Sequence, residues 1–471
     1  MSENQENRLV DPNVPADQGL SALGLLMQLG GSVFAGIGAL GLFSFLILAG
    51  RARGGGSELG MYIILLAACV TRSIFHRQAG VDLLYRRSTF EGTASPLAGL
   101  RRYILVAVIH TALFALLLKA KFHAPGKQIV AISLGFLTWP AILAVMLQLP
   151  RFKRYETELP VSEDKGFEGA AIIMTVLGTC GVLAGAVILY FMLDNSEALL
   201  KQTEGLILLA AMVLLFIRSI FHVQAGIAGI RETSVDRVVE RTNRYANFGI
   251  IAAFCAAGAF LLTIMMDKPD PSALALISGV CWLLLAWPMI IRRFYSERQF
   301  GDLMAGDAAA VHRRAPDAGL TSLGWFLLVW AAGSASSLIP QLIASEGGGG
   351  FGDMSQMMSM MASRGTGSIW WPAAVIALQG WAGFELIRMS APSRIVASAY
   401  GAFAVFVTLV LQWDTIKHLK SFDLGRGPGA ILMYGTVAMA LVVPVATLVL
   451  VNRKITPTAT ARYKPQGAPQ G

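Results

Sequence analysis

Apolar residues in this chain come in blocks, and that blocking constrains the fold more than any other feature. Uncharged runs at 20–49, 103–118, 206–217 and 430–451 alternate with short charged segments. A helix rises 1.5 Å per residue, so about 20 apolar residues cross a hydrocarbon core of about 30 Å. The longest runs do this alone, and the shorter ones sit in predominantly apolar stretches of that length. Only 14% of the 471 residues are charged and 55% are hydrophobic, whereas a soluble domain carries about 25% charged residues. The expected fold is an all-α polytopic membrane protein.

Twelve spans are predicted, near 20–49, 60–85, 103–122, 128–150, 167–193, 203–230, 245–267, 271–291, 319–344, 368–388, 393–413 and 429–452. Loops on the side of the N-terminus hold 24 Lys and Arg, against 11 on the other side. Basic loops stay in the cytoplasm, so both termini are expected there, in a bacterial inner membrane. Residues 1–18 are polar and acidic, and the first apolar run is about 30 residues long. That pattern reads as an uncleaved first span rather than a signal peptide. The net charge of +9 sits mostly at the ends of the apolar runs, where it orients the chain in a bilayer and does not point to nucleic acid. Cys69, Cys180, Cys255 and Cys281 lie within apolar runs without metal or disulfide spacing, as small buried side chains do.

Internal repetition divides the chain further. Arg72-Ser73-Ile74-Phe75-His76-Arg77-Gln78-Ala79-Gly80 recurs as Arg218-Ser219-Ile220-Phe221-His222-Val223-Gln224-Ala225-Gly226, eight of nine positions being identical at an offset of 146. Trp139-Pro140 recurs as Trp287-Pro288 at 148. Asp17-Gln18-Gly19-Leu20, Asp164-Lys165-Gly166-Phe167 and Asp317-Ala318-Gly319-Leu320 open three successive segments alike. A degenerate third copy matches Trp381-Ala382-Gly383-Phe384-Glu385 to residues 78–82 at 303, and Pro444 to Pro140 at 304. The spacing predicts three four-helix repeats, 17–160, 161–305 and 306–454, between a polar cytoplasmic N-terminus, 1–16, and a cytoplasmic tail, 455–471. Because each unit holds an even number of spans, the repeats are parallel and equivalent residues lie at similar depth. Asp17, Asp164 and Asp317 are expected as helix N-caps. Pro140, Pro288 and Pro444 fall inside spans, where each frees a carbonyl, and Gly31, Ala35 and Ala39 favour close helix approach.

The candidate site is the intramembrane Arg–His pair. Arg72 lies 14 residues from Arg86, and Arg218 lies 13 from Arg231, or about 20 Å of helix rise, so both start near mid-bilayer. An arginine there costs about 2.5–3.5 kcal/mol on insertion scales. His76 and His222 follow at i+4 on the same helix face, with Ser73 and Ser219 beside them. The third copy has Val375 and Gln379 instead. Carboxylate partners are scarce: Asp82 and Glu385 lie toward cytoplasmic ends and Asp194 at an outer end. The arginines therefore find acceptors among carbonyls freed at the prolines, an anionic ligand or a lipid headgroup. Three readings follow. One is a structural polar network. The second is a binding or translocation pathway for an anionic or amphipathic solute, lined by Arg72, Ser73, His76, Arg218, Ser219 and His222. The third is a bis-histidine haem held by His76 and His222.

His110 reads as a core or pore histidine, and His123, His312 and His418 as loop or span-end residues. Met354, Met357, Met358, Met360 and Met361 suggest Cu(I) thioether ligands, but the i, i+3, i+4, i+7 spacing of four of them favours a short amphipathic helix. Trp370-Trp371 marks an interface. Arg151, Lys153 and Arg154, and Arg292 and Arg293, anchor span ends and suit anionic lipid headgroups. No nucleotide-binding, hydrolase or metalloprotease motif is present. The chain is expected to be no enzyme, to hold no resident cofactor or metal, and to meet the lipid bilayer and partner membrane proteins.

Overall fold

The computed structural model describes residues 19–51, 56–85, 97–120, 124–149, 166–194, 203–231, 235–266, 271–296, 319–344, 370–388, 390, 392–411 and 428–454. Among these residues the chain is all-helical, with twelve helices and no strand. They are α1 (Leu20–Arg51), α2 (Gly56–Tyr85), α3 (Ala98–Ala120), α4 (Gly126–Gln148), α5 (Phe167–Asp194) and α6 (Thr203–Arg231). Then follow α7 (Val235–Met266), α8 (Pro271–Ser296), α9 (Leu320–Ala344), α10 (Trp370–Arg388), α11 (Ser393–Phe406) and α12 (Pro428–Lys454). A π-helical turn, Val407–Leu411, continues α11. The N-capping aspartates, the methionine loop, Arg151, Lys153, Arg154, His123, His312, His418 and both terminal segments lie outside the described residues.

Among the described residues, nine helices (α1, α3, α4, α5, α6, α7, α9, α11 and α12) are long and apolar enough to cross a membrane. Their packing is that of a multi-pass membrane protein, since large apolar side chains face outward as well as inward. On α3, Leu105, Ile109 and Leu116 are exposed while Ala107 and Tyr103 are buried. In water such a surface would drive aggregation; in lipid it is the solvent-facing side, and the helix satisfies its own backbone.

Two helix starts depart from the hydropathy limits. Helix α7 begins at Val235 and α3 at Ala98, five to ten residues before the expected spans. The extra turns are charged. Hydropathy marks where hydrocarbon ends, but backbone bonding carries a helix on into the headgroup region.

Contacts run in series within each group of four. Helix α1 packs on α2, α2 on α3 and α3 on α4; α5 to α8 and α9 to α12 follow the same order. The groups then join in a closed cycle, with α8 on α1, α12 on α5 and α4 on α9. Helices α1, α5 and α9 also meet one another, so they form the centre. At their starts Gly19, Gly166 and Gly319 have φ of 69°, 85° and 82°, the left-handed region in which an added Cβ is strained. A Cβ at Gly19 would strike Trp325 and Thr321 of α9, one at Gly166 Ser21 of α1, and one at Gly319 Ile172 of α5.

Close backbone approach fixes the first pair of helices in each group. An added Cβ on Gly80 would stand 2.6 Å from Gly24 O, and one on Gly383 2.8 Å from Gly324 O. One on Gly226 would stand 2.9 Å from Ala171 O. Gly31 likewise lies against the backbone of Arg77, the approach expected from the small residues of the first span.

Candidate functional site

Each Arg–His pair is built from three helices. Arg72 and His76 project from α2, Tyr103 from α3, and Phe136, Trp139 and Pro140 from α4; Arg218, His222, Tyr245, Leu284, Trp287 and Pro288 hold the corresponding places on α6, α7 and α8.

The prolines explain the arginines. Pro140 has no N–H, so Phe136 O, four residues earlier, loses its helical donor. Arg72 Nη2 donates to that carbonyl at 2.6 Å. Pro288 frees Leu284 O in the same way, and Arg218 Nη2 donates to it at 2.8 Å. A cation and an orphaned acceptor, each costly in lipid, thus satisfy one another. The Arg72 guanidinium also lies 5.5 Å from the Phe136 ring centroid, and that of Arg218 lies 6.0 Å from the Tyr245 centroid, within cation–π range.

The Trp preceding each proline serves the histidine. Trp139 Nε1 donates to His76 Nε2 at 3.2 Å, and Trp287 Nε1 donates to His222 Nε2 at 2.8 Å. An indole N–H only donates, so both Nε2 atoms are acceptors and the proton of each neutral ring sits on Nδ1. Tyrosine closes the other side. The His76 ring stacks on Tyr103 with centroids 4.7 Å apart, and His222 on Tyr245 at 4.3 Å and 6°.

Ser73 and Ser219 do not join this network, because each hydroxyl donates back to its own helix, at Cys69 O (2.8 Å) and Leu215 O (2.9 Å). Nor do the two histidines meet. His76 bonds to Trp139 and stacks on Tyr103 within the first group of helices, and His222 bonds to Trp287 and stacks on Tyr245 within the second. The Nε2 lone pair that a haem iron would take is occupied in both by an indole N–H.

The two sites differ beyond their shared core. In the first, Arg72 Nη1 lies 3.4 Å from His110 Nδ1, and His110 Nε2 lies 3.5 Å from Cys69 Sγ. The arginine only donates, so His110 carries its proton on Nε2, facing the sulfur. In the second site the positions of Cys69 and His110 are taken by Leu215 and Ala252. There Arg218 and His222 are 8% and 6% exposed. Arg218 Nε, Thr242 Oγ1 and Tyr245 Oη are buried without a hydrogen-bond partner. Gly249 leaves room for the guanidinium, since an added Cβ would lie 3.3 Å from Arg218 Nε.

The third group carries no such pair. Val375 stands at the arginine position, Gln379 at the histidine and Val443 at the tryptophan, while Tyr400 keeps the tyrosine. Gln379 Nε2 donates to Leu327 O of α9 at 3.3 Å, so the polar tie runs to the first helix of its group instead of the fourth. Glu385 accepts from Trp381 Nε1 at 3.2 Å and from the Ser390 hydroxyl. Among the described residues no three His, Cys, Asp or Glu side chains gather as a metal site.

Tyr103, Tyr245 and Cys69 were not anticipated from sequence, and Trp139 and Trp287 were recognised only as repeat landmarks. The Trp-Pro dipeptide was the available signal, because it puts an indole donor one residue from the proline that frees a carbonyl. No protein-family model, curated protein or solved structure matches the chain.

Proposed function

We propose that this membrane protein is a structural, non-transporting component: three parallel four-helix units closed in a ring, offering partner membrane proteins a rigid intramembrane platform. The Arg–His faces of the first two units are internal clips that tie the second helix of a unit to its third and fourth. One observation carries the reading. In both units the arginine donates to the carbonyl that the Trp-Pro proline has freed, so the charge is spent inside the protein.

The cyclic packing of first and fourth helices supports the triplication. So do the three left-handed glycines, 147 and 153 residues apart in sequence, each set against the first helix of another unit in the same rotational sense. Both termini belong on the cytoplasmic side by the distribution of Lys and Arg.

A second reading, binding of an anionic or amphipathic solute, is favoured in the second unit by the unpartnered Arg218 Nε, Thr242 Oγ1 and Tyr245 Oη. The double substitution Arg72→Ala with Arg218→Ala separates the two. As clips, the arginines hold the fold, and the double variant unfolds at a lower temperature in detergent or fails to insert. If it inserts normally and keeps the parental unfolding temperature, the platform reading is lost and the arginines are free for a ligand.

A further inference from the structure

Away from both clips, a cleft of about 300 Å³ opens between the end of α6 and the start of α7, lined by Phe221, Gln224, Arg241 and Arg244. Its depth in the membrane follows from sequence. Arg244 is the last charged residue before the uncharged run 245–266, which as helix measures about 33 Å and fills the hydrocarbon core. On the other side of Arg244 stand Asp236, Arg237 and Glu240 in the first turns of α7. The two lining arginines therefore lie where hydrocarbon gives way to headgroups. Because Tyr245, next to Arg244, stacks on His222, the clip of the second unit sits nearer that boundary than the mid-bilayer depth expected from the sequence.

The cleft is amphipathic along its length. Its lining has two guanidiniums and a carboxamide at one end and no carboxylate. Phe221 meets Phe248 edge to face at 5.1 Å and forms the apolar end. Beyond Phe248 the same side of α7 continues with Ile251 and Phe254, 60% and 63% exposed, which face lipid. Glu240 reaches Arg244 at 3.2 Å, but both side chains are more than half exposed, and a phosphate can replace such a pair.

We propose that this cleft holds the headgroup phosphate of an anionic phospholipid of the bilayer, with Arg241 and Arg244 on the phosphate, Gln224 beside it, and an acyl chain over Phe248 and Ile251. The apolar continuation selects a lipid over a free phosphate, which would use only the arginine end. The first unit keeps Phe75, Gln78 and Arg102 at the matching places, whereas the third has Leu378, Trp381 and Ala399. At the place of Arg241 the first unit has Gly99 and the third Val396, so the pair of arginines is particular to the second unit. The site rests on the membrane assignment alone and stands whether or not the arginines of the clips are structural.

Native mass spectrometry of the full chain, delipidated and titrated with phosphatidylglycerol or phosphatidylcholine, tests this. The wild type retains phosphatidylglycerol in preference to phosphatidylcholine, and Arg241→Gln with Arg244→Gln lowers that retention about thirtyfold, at roughly 1 kcal/mol per interfacial arginine. Arg237→Gln, outside the lining, leaves retention unchanged. Inorganic phosphate at millimolar concentration does not displace the lipid. Equal retention of the two lipids, equal retention by the double variant, or displacement by inorganic phosphate overturns the proposal. Should the double variant not yield monodisperse protein, the wild-type comparison of the two lipids decides alone.

Discussion

A guanidinium deep in a membrane helix must find acceptors without water, and a proline in a neighbouring helix leaves an acceptor without a donor. Arg218 and Pro288 answer both needs with one contact to Leu284 O at 2.8 Å. Trp287 extends the clip by donating to His222. Trp287→Phe keeps an aromatic ring but leaves His222 Nε2 buried without a donor, which costs about 1–3 kcal/mol. Trp139→Phe should cost less, because its bond is longer at 3.2 Å and only partly buried. Unfolding midpoints of the two variants in detergent check this; equal midpoints would show that the indole N–H contributes nothing at either site. The arginines, histidines and prolines of the clips were legible in sequence because they keep constant offsets. The tyrosines were not, since Tyr103 follows His76 by 27 residues and Tyr245 follows His222 by 23. The intervening loops differ in length, which breaks the register by which repeats are recognised.

Among elements, the tightest fits are the paired first and second helices of each group. At Gly80 the backbones of α1 and α2 come so close that a Cβ would stand 2.6 Å from Gly24 O and 2.7 Å from Gln28 N. Backbone cannot swing aside as a long side chain can, so Gly80→Ala forces the helices apart and costs about 1–3 kcal/mol. Gly258, in α7, has open space at its Cβ position, and Gly258→Ala should gain up to about 1 kcal/mol from helix propensity. Thermal unfolding of this pair gives opposite signs if the crossing is as described; a neutral Gly80→Ala would mean that α1 and α2 do not meet there. The twelve described helices fall on the expected apolar stretches, nine of them long and apolar enough to cross a membrane, but the early starts of α3 and α7 were not anticipated. Nor was the π-helical turn after α11, because a π turn leaves no mark on hydropathy.

At the scale of the molecule, three groups of four helices could pack in many ways, and sequence does not choose among them. The choice lies in surface fit: among the described residues α8 seats on α1, α12 on α5 and α4 on α9, which closes the cycle and pairs the first helix of each group with the fourth of another. A closed ring spreads the loss of any clip across its neighbours, so a clip is best measured through the stability of the whole protein. The account stands on the claim that the intramembrane charge is used internally, to cap a carbonyl that proline has freed. A double-mutant cycle on Arg218 and Pro288, read by reversible unfolding in detergent, tests it most directly. Arg218→Ala strands Leu284 O in the wild type, whereas Pro288→Ala returns a helical N–H to that carbonyl. The account predicts that Arg218→Ala destabilises the wild type more than it does the Pro288→Ala background, with a coupling of about 0.5–3 kcal/mol. The same cost in both backgrounds, or a gain in stability on removing the arginine, would contradict it.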